Sequence, residues 1–317
     1  MYANQSQNNS TGGLQYQGLL ERVMFSILTT VPCCVFLYIN GIMLFTLRSK
    51  SVFRDTSRYI LLYNLLFADT VLLIHGQLMY ILAASKVTLT YPVCGVFTML
   101  ANLTTEISPL TLVVMSLERY VAVCYPLRHA SIITIRNTGV AIMLVWTFGA
   151  LSVLPKVFLL LNFQFEELQS LQMKRFCGKE SMLLDPLSEF YDKAFTYCLF
   201  LSTGVAVSCS YIGVILAARS ASTDKASARK VRNTLLLHLV QVGLSLSSTI
   251  HNPMLIAVSK VLDRIILVYI QIVFYVCFFI FPRCLTSLIY GIRDQTIRPV
   301  LMYNLCCQCR GSLSVTL

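Results

Sequence analysis

Seven long apolar stretches, each bounded by short polar segments, constrain this chain more than any motif in it: residues 23–47, 59–85, 91–117, 137–161, 194–218, 233–259 and 265–290. A helix needs roughly 20 apolar residues to cross ~30 Å of hydrocarbon, and a helix satisfies its own backbone hydrogen bonds there. The reading is therefore an all-α, seven-transmembrane helix bundle. Its last span is the least regular, because Pro282 and Arg283 interrupt it. Length alone, 317 residues, would suggest two soluble domains, but the apolar material is spread evenly along the chain. With 56% hydrophobic and 12% charged residues the balance is not that of a soluble protein. The domains read as a polar segment 1–22, one membrane domain 23–290 and a tail 291–317.

An odd number of spans puts the termini on opposite sides, and loop charge decides which is which. One set of loops carries Arg48, Lys50, Arg54 and Arg58, then Arg128 and Arg136, then Arg219, Lys225, Arg229, Lys230 and Arg232, then Arg293, Arg298 and Arg310. The other set is poorer in bases and mixes them with Glu166, Glu167, Glu180, Asp185 and Glu189. The basic set is cytoplasmic on this count, which leaves the amino terminus extracellular at the plasma membrane. The net charge of +11 is thereby an orientation signal, since it lies in short clusters and forms no long face for nucleic acid. Asn4, Asn8 and Asn9 each open a glycosylation acceptor pattern in the outer segment. Residues 1–17 lack an apolar signal-peptide core, so the first span is expected to act as an uncleaved anchor. Most of the twelve cysteines read as small buried apolar residues, with no spacing suited to a metal.

The third span carries the strongest chemistry. From Cys94 to Arg119 the helix rises ~37 Å, so one end meets the oxidising exterior and the other the cytoplasm. Cys177 is the cysteine of the long segment before the fifth span, and a Cys94–Cys177 disulfide would tie that segment over the helix end; two free thiols are the alternative. At the inner end Glu118 stands beside Arg119. Either their ion pair is a lock whose partner is exchanged on activation, or Arg119 snorkels to lipid phosphates. Two acids, Asp69 and Glu106, fall near mid-membrane, where a charge is a functional candidate by default. Glu106 either contacts ligand or is satisfied by partners inside the bundle.

The run Leu117-Glu118-Arg119-Tyr120-Val121-Ala122-Val123-Cys124-Tyr125-Pro126-Leu127-Arg128 resembles the Asp/Glu-Arg-Tyr segment of rhodopsin-like G-protein-coupled receptors, in the form found in odorant receptors, especially the fish type. Asn40-Gly41, Leu65-Leu66-Phe67-Ala68-Asp69, Trp146 and Ser210-Tyr211 extend the resemblance over nearly the whole chain. It implies that Glu118, Arg119 and Tyr120 form the inner lock, that Tyr211 and Tyr290 rearrange on activation, and that Asn40 and Asp69 belong to a central polar network. That network binds sodium in many relatives or bridges helices through water. The resemblance also implies a small-molecule pocket at Asn102, Thr105, Glu106, His251 and Met254, with a heterotrimeric G protein as the inner partner. Three motifs depart from the pattern. The seventh span has Thr286-Ser287 where an Asn-Pro is usual, which moves the expected kink to Pro282. The sixth has Ile250-His251-Asn252-Pro253 without the usual aromatic, and the second opens with Ser57-Arg58-Tyr59 in place of Pro-Met-Tyr.

After Tyr290, residues 291–301 read as a short amphipathic helix on the inner surface, and Cys306 and Cys307 as palmitoylation sites. The functional expectation is an odorant receptor using no cofactor. A receptor for another small ligand is the nearest rival, and an ion channel or transporter using Asp69 and Glu106 is the rival from another class. An enzyme is disfavoured, because no HExxH, GxSxG or phosphate loop is present and His129 and His238 have no nucleophile at useful spacing.

Overall fold

A computed structural model of the chain describes residues 19–162, 172–173, 176–183, 185–221, 239–240, 242–248, 254–255, 257–258, 261 and 264–314. Their helices follow the expected order. Span one is Leu19–Ser49, span two Ser57–Ala84, span three Tyr91–Cys124, span four Ile135–Leu161 and span five Pro186–Ala221. Of span six, short helical pieces at 239–240, 242–248, 254–255 and 257–258 are described. Span seven runs from Arg264 to Arg293, and a tail helix, Ile297–Ser314, follows. Six of the described helices are long and apolar enough to cross a membrane. Their outward faces carry Ile27, Met143, Phe158, Leu201 and Ile212, all more than half exposed. Such a surface is an aggregation hazard in water and costs nothing against lipid.

Polar side chains inside these helices are satisfied locally. Thr98, Thr104, Thr105 and Thr203 each donate a hydroxyl to the carbonyl four residues earlier, which lets a threonine sit in an apolar run without an orphan donor. Longer polar ties join helices. Trp146 Nε1 donates to Asn64 Oδ1 at 2.9 Å, and Asn64 Nδ2 donates to Thr111 Oγ1 at 3.0 Å, so spans two, three and four share one relay. Trp146→Phe is expected to cost about 1 kcal/mol by leaving the Asn64 acceptor short of a donor. A drop of a few degrees in the thermal midpoint of purified protein checks this.

The inner half holds the largest apolar core, with Met43, Leu62, Leu66, Leu112, Met115, Val207, Tyr211, Val214 and Tyr290 packed together with Ile297 and Leu301 of the tail helix. Span three lies at its centre and touches spans two, four and five. Gly213 of span five permits a close approach to span three, because a Cβ there would lie 2.6 Å from the Tyr120 ring.

Three boundaries differ from expectation. Span three extends past 117 to Cys124, 34 residues in all, which is roughly 51 Å at 1.5 Å per residue. Its inner end thus projects beyond the hydrocarbon. Span five begins at Pro186 and not at 194. Hydropathy rejects its first turns because of Glu189, Asp192 and Lys193, but Lys193 pairs with Glu189 at i,i+4 and Asp192 with two lysines. Span seven continues through 291–293, so the tail helix starts later and runs longer than the expected 291–301. Asp294 makes the break by accepting the amides of Thr296 and Ile297 at 2.9 and 3.1 Å, as a helix cap does. Just before Pro282, where the kink is expected, the helix has a π-helical turn over Tyr275–Ile280. A proline has no N–H to give and crowds the carbonyl four residues back; the wider turn absorbs both.

Candidate functional site

At the outer end, Cys94 and Cys177 are joined in a disulfide. The bond holds the segment before span five over the end of span three. There Met173 N donates to Leu89 O at 3.0 Å, and Met173 and Met182 pack on the disulfide.

Below this cover lies a buried charge cluster. Glu106, 5% exposed, accepts a hydrogen bond from Ser152 Oγ and lies 3.6 Å from Lys156 Nζ. Lys156, 6% exposed, stands 3.0 Å from Asp192, and Asp192 in turn 2.8 Å from Lys179. Two carboxylates thus alternate with two ammoniums across spans three, four and five and the outer segment. Phe195 adds a ring face 5.7 Å from Lys156 Nζ, and the Tyr191 hydroxyl donates to Ser152 O at 3.1 Å. Glu106 is therefore an ion-paired carboxylate within the bundle. Sequence reasoning singled out neither Lys156 nor Asp192. A lysine inside the apolar run 137–161 was the available signal.

The other expected pocket residues are distributed around this cluster. Asn102, a turn above Glu106, lines an outward-opening cavity with Lys156, Lys179 and Asp185; its unfilled space is about 430 Å³, counting the part open to the outside. Thr105 lines a second, smaller cavity with Asp69, Ser108, Ser245, Arg283 and Thr286. Met254 is half-buried in a described piece of span six, and His251 lies outside the described residues.

Asp69 accepts from Ser108 Oγ at 2.6 Å. Arg283, read from sequence only as an interruption of span seven, lines the same small cavity and is 4% exposed. Its guanidinium lies 4.0 Å from the Phe279 ring centre, donates to Phe279 O, and leaves Nε without a partner among the described residues. A fixed positive charge thus stands beside the buried acid. Asn40 joins this network from span one, accepting from Ser287 Oγ and donating to Arg283 O at 3.4 Å.

At the inner end Arg119 Nε lies 3.3 Å from Glu118, and the buried Tyr290 stands near the Arg119 charge. His129 Nε2 stands 3.9 Å from the other Glu118 oxygen. Tyr211, 3% exposed, packs in the same core, while Tyr120 lies against Gly213 with its edge toward Tyr125. Arg58 adds a feature that no sequence pattern announced. Its guanidinium is 2.8 Å from Asp294 and lies 5.5 and 5.6 Å from the ring centres of Tyr59 and Tyr290. The inner ends of spans two, three and seven and the tail helix are thereby tied through two arginines.

Asn4, Asn8 and Asn9 lie outside the described residues. Cys306 and Cys307 fall on the tail helix, and their side chains lie outside the description.

Residues 39–309 match the seven-transmembrane receptors of the rhodopsin family. The chain is 32% identical over 305 residues to odorant receptor 131-2 of Danio rerio, covering 96% of this chain and 92% of that one. Over 199 residues it is 31% identical to olfactory receptor 2A1/2A42 of Homo sapiens, covering 61% of each. It is 24% identical to olfactory receptor 4K15 of Homo sapiens over 279 residues, 83% of this chain and 79% of that one. With the family pattern matched over residues 39–309 and the Cys94–Cys177 disulfide and Glu118–Arg119 pair in place, this chain belongs to the rhodopsin family of seven-transmembrane receptors.

Proposed function

We propose that this protein is an odorant receptor of the plasma membrane, which binds a small external ligand in the outer half of the bundle and activates a heterotrimeric G protein at its inner face. The observation that carries the reading is Arg119, paired with Glu118 at the inner boundary and standing near Tyr290 of span seven. A partly buried arginine with exchangeable partners is a bistable element, released when spans three and seven separate. Similarity along nearly the whole length of a zebrafish odorant receptor supports the ligand class.

The ligand needs only to bind the open arrangement better than the closed one. Asn102, Thr105, Glu106, His251 and Met254 are the proposed pocket residues, with Glu106 acting through its lysine partner. The segment 1–22 faces outward and carries glycans at Asn4, Asn8 or Asn9, and the tail 291–317 faces the cytoplasm with Cys306 and Cys307 acylated. Expression in cells carrying a cyclic-nucleotide reporter, with parallel current recording, tests the proposal. A ligand-evoked nucleotide signal that vanishes in Arg119→Ala at equal surface density is expected. A ligand-gated current persisting without G protein would replace the receptor reading by a channel.

A further inference from the structure

The outward cavity under the disulfide-held segment has an asymmetric wall. Lys156 and Lys179 both line it, together with Asn102, Asp185, Leu160 and Met182. Among the described residues, Glu106 and Asp192, the carboxylates that pair with these lysines, lie outside that wall. Of the four charged residues of the cluster, the two lysines thus reach the cavity wall, Lys179 a third exposed and Lys156 buried, and the two carboxylates do not. Lys156 has three N–H donors, and its two ion pairs measure 3.0 and 3.6 Å, so one of them is long for a hydrogen bond. Asp192 is shared by two ammoniums and has an oxygen, Oδ1, lacking good hydrogen-bond geometry.

Resting on the receptor reading above, we propose that the cavity selects ligands by an anionic head group, a carboxylate or an oxyanion of similar shape, seated between Lys156 and Lys179, with the apolar remainder of the ligand against Leu160 and Met182. Asn102 stands in the same wall with an amide N–H₂ to complete the donor set. A cationic ligand has no comparable seat. The wall offers it one acid, Asp185, beside two lysines.

The same geometry couples binding to the helices. Lys179 belongs to the outer segment, Lys156 to span four and Asp192 to span five, so an anion that draws both lysines together loosens the hold on Asp192. Span five is released at its outer end, and its inner end carries Tyr211 and the Gly213 contact with Tyr120.

The test uses the full-length protein in lipid nanodiscs with octanoate and benzoate, their methyl esters, and octylamine and benzylamine, binding being read by ligand-observed NMR. The same six compounds are applied to reporter cells. The acids are expected to bind in preference to esters and amines. Lys179→Gln, at a third-exposed position, should weaken acid binding about tenfold or more, as loss of a charge-assisted contact does, while Lys179→Arg and Lys156→Arg stay within about threefold. Equal binding of esters or amines, no binding of either acid, or an unchanged affinity in Lys179→Gln overturns the inference. Acid binding without any G-protein response keeps it and removes the receptor reading. A response to esters or amines alone does the reverse.

Discussion

Lys156→Met should be the most damaging single change in the outer half, lowering the stability of the folded bundle by about 3–5 kcal/mol, the usual cost of removing one partner of a buried ion pair. The ammonium it deletes is all but inaccessible and lies 3.6 Å from Glu106 and 3.0 Å from Asp192. Without it, among the described residues, Glu106 keeps the Ser152 Oγ hydrogen bond and Asp192 keeps the third-exposed Lys179. Two carboxylates then remain in a region of low dielectric where each costs far more than the thioether gains. Methionine matches the volume, so the loss reports charge and not a cavity. The thermal midpoint of purified protein and the fraction delivered to the cell surface measure it. The triple variant Lys156→Met/Glu106→Gln/Asp192→Asn should regain more than half of the loss, because it removes the orphaned charges. A Lys156→Met protein as stable as the parent would mean that the cluster does not order the outer half.

That cluster also marks where the sequence stops being informative. The third span was readable because its motifs are local: Cys94 and Arg119 stand at opposite ends of one apolar run, and Glu118 is adjacent to its partner. Lys156 and Asp192 were not readable. A single lysine barely changes the mean hydropathy of 137–161, and Asp192 lay outside a span expected to begin at 194. What makes them intramembrane is each other. A pairing across three helices is a property of packing, which hydropathy averages away. Arg283 is the same case in the seventh span. It looked like a break because a lone arginine at membrane depth is expensive, and it is tolerated because Asp69 and the Phe279 ring meet it there. Helix ends failed for a simpler reason, since charged turns that pair among themselves, as Glu189 with Lys193, extend a helix past the point where apolarity ends.

Arg58 leads to the second large effect, an increase in signalling without ligand. Its guanidinium binds Asp294 at 2.8 Å and lies 5.6 Å from the centre of the Tyr290 ring, which in turn stands near the Arg119 charge. On the proposed receptor reading, these contacts belong to the closed inner face. Arg58→Gln removes the charge but little bulk, so the closed state alone loses stability and the open fraction rises. A loss of about 1.4 kcal/mol corresponds to a tenfold shift in that equilibrium, and a rise of this order in basal reporter signal is expected. Asp294→Asn isolates the same ion pair from the other side. Its side-chain oxygen still accepts the amides of Thr296 and Ile297, so the tail helix keeps its cap and only the charge is lost. If the two single changes break one shared contact, the double variant Arg58→Gln/Asp294→Asn should signal no more than either alone, as a double-mutant cycle requires of a coupled pair. Basal signals that multiply in the double variant would show two independent actions, and singles indistinguishable from the parent at equal surface density would show that the pair does not hold the inner face closed.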